Sequence, residues 1–366
     1  MESKIAFLVS NDLNFDQRMI KICTSLSRID NYEISLIGRA KQSSKPLHEN
    51  TNYRQVRLSL FFEKGIFFYV ELFVRQFFYL MTKRYDAVCA IDLDTILAAR
   101  LYCKLFKAKF IYDAHEYFTE VPELVERPRV QKIWKWVEKW TVPYVDAAYT
   151  VNQSLATLFY DEYKVQFEII RNVPTIASDI KKVNAATKII IYQGAINEGR
   201  GLEALILAMK QFQELTLWII GDGDLLNDLK ALSANHQIEN VKFLGYVYPH
   251  ELKQLTAKAW LGANLLENKG LNYYYSLANK TFDYMHAGIP MLNMNFPEYK
   301  YLNRQFEVAI LLDDLRENTL IAAISTLLNN ENLYKTMEQN CHKAANAYNW
   351  SIEEKKLITL YQKILS

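Results

Sequence analysis

The chain is predicted to be α/β, built from two similar doubly wound domains with parallel sheets. Two observations carry this: apolar runs of strand length alternate with helical patterns, and the alternation stops near residue 175 and starts again near 185. The balance of 50% apolar and 23% charged residues over 366 residues adds that the chain is globular and long enough for two cores. In order, Ile5–Val9 reads as a strand, residues 17–28 as a helix, and Glu33–Ile37, closed by Gly38, as a second strand. Ala87–Ile91 and Lys109–Tyr112 follow as further strands, each leading through polar residues into a helix. The polar stretch from Ser178 to Lys188 is the expected linker. Beyond it, residues 188–192, 215–220 and 241–244 are the strands of the second domain. Ser351 to Glu354 reads as a capping box opening a last helix that carries Leu357, Ile358, Tyr361, Ile364 and Leu365.

Several function classes are disfavoured. A formal charge of +2, without a long block of Lys and Arg, argues against nucleic acid. Cys23, Cys89, Cys103 and Cys341 lack metal-ligand spacing and read as reduced, cytosolic thiols. The first residues are too short and wrongly flanked for a secretory signal, so a cytoplasmic location is expected. The GxGxxG fingerprint and the Gly-x-Ser-x-Gly elbow are missing, against a dehydrogenase and a serine hydrolase. Asp92-Leu93-Asp94 and Asp222-Gly223-Asp224 resemble carboxylate pairs, but such triplets occur by chance and no third ligand is identifiable, so no metal is expected.

Three segments point to a phosphorylated ligand. Gly194 to Gly201 lies between a strand and a helix, where backbone amides can approach an anion, and Arg200 in it can clamp a diphosphate. Gly221-Asp222-Gly223 marks a second strand end, where open α/β sheets bind ligands. Lys280 and Asp283 then sit three residues apart before Gly288-Ile289-Pro290, on one helix face. The lysine suits phosphate and the carboxylate a sugar diol; the competing reading is a solvated ion pair. His115, in Asp113-Ala114-His115-Glu116, is expected at the top of the first sheet, where it can bond a sugar or polarise a leaving group, or be a structural histidine.

Two aromatic segments raise the question of a membrane. Residues 60–81 are rich in Phe and Tyr, but Glu71 and Arg75 interrupt any span. The segment either covers the sheet, the favoured reading, or lies in a bilayer interface. Lys132, Lys135 and Lys139 form a basic stripe opposite Ile133, Val137 and Trp140, which fits an ordinary amphipathic helix or a surface for anionic lipid.

Taken in order, residues 11–18, 112–116, 171–174, 194–201, 221–223 and 279–290 resemble the retaining glycosyltransferases of family 4, the glycosyl transferases group 1, over nearly the whole chain. The resemblance implies a GT-B fold: residues 1–175 as an acceptor domain, 185–348 as a nucleotide-sugar domain, and 349–366 as a helix returning to the first domain. It implies a hexosyltransferase that moves sugar with retention from a nucleotide-sugar to a glycan or lipid-linked acceptor in cell-surface polysaccharide synthesis, without a cofactor, cytoplasmic and peripheral on the inner face of the cell membrane. By position, His115, Arg200 and Lys280 are the catalytic group. Gly194, Gly221, Gly223 and Asp283 join Arg200 and Lys280 on the donor, with Asp283 on the ribose, while Asp16, Arg18 and Glu116 lie on the acceptor side. The sequence departs from the family where Ala195 replaces an arginine, Tyr275 replaces the first acid of a Glu-x7-Glu motif, and Asp283 replaces the second. A nucleotide-sugar epimerase and a non-catalytic sugar-nucleotide binding partner are the alternatives.

Overall fold

The computed structural model describes residues 2–14, 16–41, 44–47, 52–176 and 187–366. Most of the expected linker, residues 178–186, lies outside the described residues. The chain divides into two compact units, one formed by Met1–Asn172 with Glu353–Ser366 and the other by Val173–Ile352.

The first unit holds seven strands: β1 (Ser3–Leu8), β2 (Tyr32–Ala40), β3 (Arg54–Ser59), β4 (Ala87–Ile91), β5 (Lys109–Ala114), β6 (Ala147–Thr150) and β7 (Phe167–Ile169). They pair in parallel in the order β3-β2-β1-β4-β5-β6-β7. All five residues of β4 are buried, as expected for an apolar run covered on both faces of a parallel sheet. The helices are α1 (Gln17–Leu26), α2 (Gly65–Met81), α3 (Ile96–Phe106), α4 (Pro122–Val125), α5 (Pro128–Thr141) and α6 (Gln153–Tyr163). The connections carrying α2, α3, α5 and α6 all run in one lateral direction across the sheet, and the one carrying α1 runs the other way. Right-handed crossovers therefore place the first four on one face and α1 on the opposite face.

The second unit has β8 (Lys188–Gln193), β9 (Leu215–Ile220), β10 (Val241–Gly245), β11 (Leu261–Asn264), β12 (Met291–Met294) and β13 (Ala309–Leu312), parallel in the order β10-β9-β8-β11-β12-β13. Its helices are α7 (Leu202–Ala208), α8 (Leu226–Asn235), α9 (Pro249–Thr256), α10 (Leu271–Tyr274), α11 (Asn279–His286), α12 (Pro297–Phe306), α13 (Glu317–Asn329) and α14 (Glu331–Ala347). One core cluster gathers Leu205, Ile219, Leu292 and Ile324; another gathers Ile191, Phe282, Met291 and Cys341. Both units are doubly wound, so the predicted α/β class holds.

The last helix, α15 (Trp350–Leu365), begins in the second unit, and its residues from Glu353 onward belong to the first. The capping box expected at Ser351 is displaced, because the helix already starts at Trp350 and Ser351 lies inside its first turn. Glu353 instead reaches the backbone N–H of Arg171 at 3.0 Å and its guanidinium at 3.4 Å. Leu357 and Tyr361 are fully buried, with the Tyr361 ring 5.8 Å from Phe7 of β1.

Of the three apolar residues set opposite the basic stripe of α5, Val137 alone is buried. The buried residues of the helix are Trp134, Val137, Glu138 and Thr141, whereas Ile133 and Trp140 are exposed beside the lysines. Helix α2 covers the sheet, the reading favoured from the sequence: Phe68, Leu72, Gln76 and Leu80 are buried at a spacing of four, and its other side is apolar and exposed. Among the described residues no helix is long and apolar enough to cross a membrane.

Candidate functional site

In the second unit the predicted donor residues collect at the C-terminal ends of β8 and β9. Gly194 follows β8 with φ +132° and donates its N–H to the Ile220 carbonyl at 2.9 Å. Gly221 follows β9 with φ +143°, and a Cβ there would stand 1.9 Å from the Gly194 carbonyl oxygen. Only glycine lets these two strand ends cross so closely. At Gly223 a Cβ would likewise meet the Ile196 carbonyl, so Gly221 and Gly223 serve loop packing. Gly194 is exposed and looks onto Lys280, whose Nζ would lie 3.6 Å from a Cβ at that position.

Lys280, in the first turn of α11, rests its Nζ 3.8 Å from the centroid of the Tyr192 ring. Arg200 lies 4.8 Å over the Tyr273 ring, and its buried Nε has no hydrogen-bond partner. Among the described residues neither cation makes an ion pair; aromatic faces hold both. Burial, and then repulsion from Arg200, hold the Lys280 ammonium well below its usual pKa, with Asp283 opposing. Two cations near each other without a carboxylate between them leave an unanswered positive potential beside Gly194. Asp283 accepts from the Gln193 amide at 2.8 Å, and the Gln193 carbonyl accepts from the Thr256 hydroxyl at 2.8 Å, which fixes the carboxylate one turn from Lys280.

In the first unit, Asp113 at the end of β5 is fully buried and gathers two groups, Arg18 and His115. Arg18 of α1 grips it in a two-point contact of 3.1 and 2.8 Å and also donates to the Ile170 carbonyl at 2.9 Å. His115 places Nε2 3.0 Å from Asp113 and Nδ1 3.4 Å from Asp92, which sits just beyond β4 with φ +55°. Asp92 also accepts the backbone N–H of His115 at 2.9 Å. Burial opposes the imidazolium, but Asp113 and Asp92 outweigh it and raise the His115 pKa to about 9. Burial pushes Asp94 up to about 7, with repulsion from Asp92 second. Asp113 stays below the usual carboxylate range because Arg18 and His115 overcome the cost of its burial.

Two expectations change here. Arg18 is 4% exposed and committed to Asp113, so it faces no acceptor: its guanidinium is an internal brace. Asp16 caps α1 by accepting the Met19 N–H at 2.9 Å, and its other oxygen accepts from Asn11 at 3.0 Å. Both ring nitrogens of His115 already face carboxylates, so its expected bond to a sugar is replaced by a fixed positive charge. Glu116 lies half-buried in the following loop and adds to the pressure that raises Asp92. Neither Asp-x-Asp triplet gathers a third ligand; no group of three His, Cys, Asp or Glu side chains is placed to hold a metal among the described residues.

The charge state of His115 has a sign that can be checked. A histidine raised from about 6.5 to about 9 stabilises the fold fully below pH 6.5, and loses that contribution as pH rises toward 9. In an NMR titration its ring protons will move with a midpoint near 9; a midpoint near 6.5 contradicts its pairing with Asp113 and Asp92.

Sequence reasoning missed Tyr192, Tyr273, Gln193 and Asp92. Gln193 was visible as the residue before the glycine loop, but tyrosines in apolar runs carry no signal that separates a cation's seat from core. For Asp92 the partner is 23 residues away in the chain.

Residues 175–344 match the model of glycosyl transferases group 1. The alpha-monoglucosyldiacylglycerol synthase of Streptococcus pneumoniae is 28% identical over 178 residues, 44% of this chain and 38% of that protein, so the match spans well under half of that relative's length. Sucrose-phosphate synthase from Thermosynechococcus elongatus superposes with a TM-score of 0.80 at 16% identity, over 99% of both chains. Anabaena HepE, solved in complex with UDP and glucose, gives 0.78 at 16% identity, over 99% of this chain and 100% of that one. The two Rossmann-like units have the GT-B fold, and the second unit is similar to the glycosyl transferases group 1 from residue 175 to 344.

Proposed function

We propose that the chain is a retaining glycosyltransferase of the hexosyltransferase type, moving a sugar from a nucleoside-diphosphate sugar to a glycan or lipid-linked acceptor in cell-surface polysaccharide or glycolipid synthesis. The observation that carries this reading is the pair of cations, Arg200 and Lys280, held on tyrosine rings without a carboxylate beside Gly194. A diphosphate answers that potential, and Asp283, held by Gln193, is the carboxylate for the ribose diol. In transfer, the bond from the anomeric carbon to the diphosphate breaks while the acceptor oxygen bonds to that carbon on the same face. The acceptor's proton passes to the departing phosphate oxygen. Arg200 and Lys280 stabilise the charge that develops on the diphosphate; fixed charges aimed at developing charge usually lower such barriers more than any other single effect. No metal or other cofactor is assigned a step. A lipid-linked acceptor places the enzyme on the inner face of the cell membrane; the pneumococcal relative is named for making a glycosylated diacylglycerol.

The test is a thermal-shift panel of UDP-, GDP- and ADP-sugars, since a ligand of the folded state raises its apparent stability. UDP-sugars come first because HepE binds UDP. The donor that stabilises the protein is then supplied with glycan and lipid acceptors, and the product's anomeric configuration is read by NMR. A product of inverted configuration overturns retention. Tyr275 and Ala195, where the family has an acid and an arginine, favour a second reading as a sugar-nucleotide binding partner. Binding without transfer or donor hydrolysis across the panel selects it.

A further inference from the structure

The outward surface of the first unit carries more exposed apolar side chains than the proposed chemistry uses. On α2, Ile66, Phe67, Val70 and Phe78 are 68, 64, 54 and 60% exposed. Leu105 and Phe106 end α3 at 60 and 47%, and Ile133, Trp136 and Trp140 line α5 at 57, 62 and 46%. These helices share one face of the sheet and touch one another: Tyr69 of α2 meets Trp134 of α5 edge-on at 5.0 Å, and Arg100 of α3 stacks on Trp140 at 4.4 Å. Contiguous apolar surface of this kind marks an interaction site.

The charges around it select the occupant. Helix α5 exposes Arg129, Lys132, Lys135 and Lys139, and its one acid, Glu138, is 1% exposed. Helix α3 carries Lys104 and no acid. The acid of α2, Glu71, is bound by the N–H groups of Phe61 and Phe62 and by Arg75. Lys107 follows α3, and Lys83 and Arg84 follow α2, all exposed. A surface of tryptophan and phenylalanine interleaved with lysine, without a free acid on its helices, suits the headgroup boundary of an anionic bilayer, where rings enter and lysine stems reach back to phosphate. Protein interfaces, by contrast, are depleted in lysine.

We propose that the outer face of α2, α3 and α5 is a docking surface for anionic lipid bilayers, with Phe67, Phe78, Trp136 and Trp140 entering the interface and Lys132 and Lys139 holding lipid phosphates. The proposal deepens the lipid-linked acceptor reading, but its test does not depend on transfer. The full chain is floated with phosphatidylcholine vesicles, with and without phosphatidylglycerol, at low salt. Wild type is expected to float with the anionic vesicles and to be released by salt. The pairs Trp136→Ala with Trp140→Ala, and Lys132→Glu with Lys139→Glu, are each expected to lower partitioning by about tenfold or more. Circular dichroism and nucleotide thermal shift on the same variants establish that they remain folded and that the donor site is intact. Failure of wild type to float overturns the docking surface even if transfer is observed, and so do variants that float as wild type does. A concentration-dependent dimer in sedimentation that the same substitutions abolish assigns the face to a second copy and also overturns it.

Discussion

Replacing Arg18 with leucine will destabilise the first unit by about 3–5 kcal/mol, the range for stripping one partner from a buried ion pair. The effect is large because Asp113 is fully buried and Arg18 supplies two of its contacts, leaving His115 as the remaining cation. Urea denaturation followed by a probe in the first unit is the measurement, since two units need not unfold in one transition. A loss below about 1 kcal/mol would show that the pair does not brace the fold. The double variant Arg18→Leu with Asp113→Leu should recover part of the loss, because it removes the orphaned charge along with its partner.

The second large effect is on binding. Arg200→Ala and Lys280→Ala are each expected to weaken nucleoside-diphosphate affinity about 10- to 100-fold, the scale of one charge-assisted contact. Unchanged calorimetric affinity in both variants would sink the site assignment. Lys280 adds a signature that a purely structural lysine lacks. Its pKa is held well below the usual value by burial and by Arg200, so an arriving diphosphate favours its protonated form. Binding to the wild type should therefore take up protons between the free and the nucleotide-bound pKa of Lys280, seen as a binding enthalpy that changes between buffers of different ionisation enthalpy. The Lys280→Ala protein should lose that dependence.

What the chain reveals without coordinates follows the strength of local signals. The strands β1, β2, β4, β5, β8, β9 and β10 could be read because each has five or more residues, most of them apolar, between polar breaks. By contrast β6, β7, β11, β12 and β13 have three or four residues each, too few to show a period. Lys280, Asp283 and Arg200 stood out by spacing and by nearby glycines, and the structure brings them to adjoining strand and helix ends. Arg18 could not be understood from its neighbours, because its partner lies 95 residues away and only folding joins them. His115 was correctly placed at a strand end, but its role depends on two carboxylates that the sequence does not pair with it. On α5 the sequence left open which side the sheet covers, since helical periodicity identifies faces but not which of them is buried; Val137 is buried, Ile133 and Trp140 are exposed.

The first unit is not continuous in the chain: from α15 it takes Tyr361, against Phe7 of β1, and Glu353, against Arg171, after the whole of the second unit. Domains are usually completed in the order in which they leave the ribosome. Here the earlier unit waits for the later one. Residues 173–352 can close their core during synthesis, while the first unit emerges early and holds an unfinished surface over β1 until α15 arrives. A nascent chain halted before residue 353 will therefore carry a finished second unit behind an open first one, exposed to chaperones and proteases at the end made first.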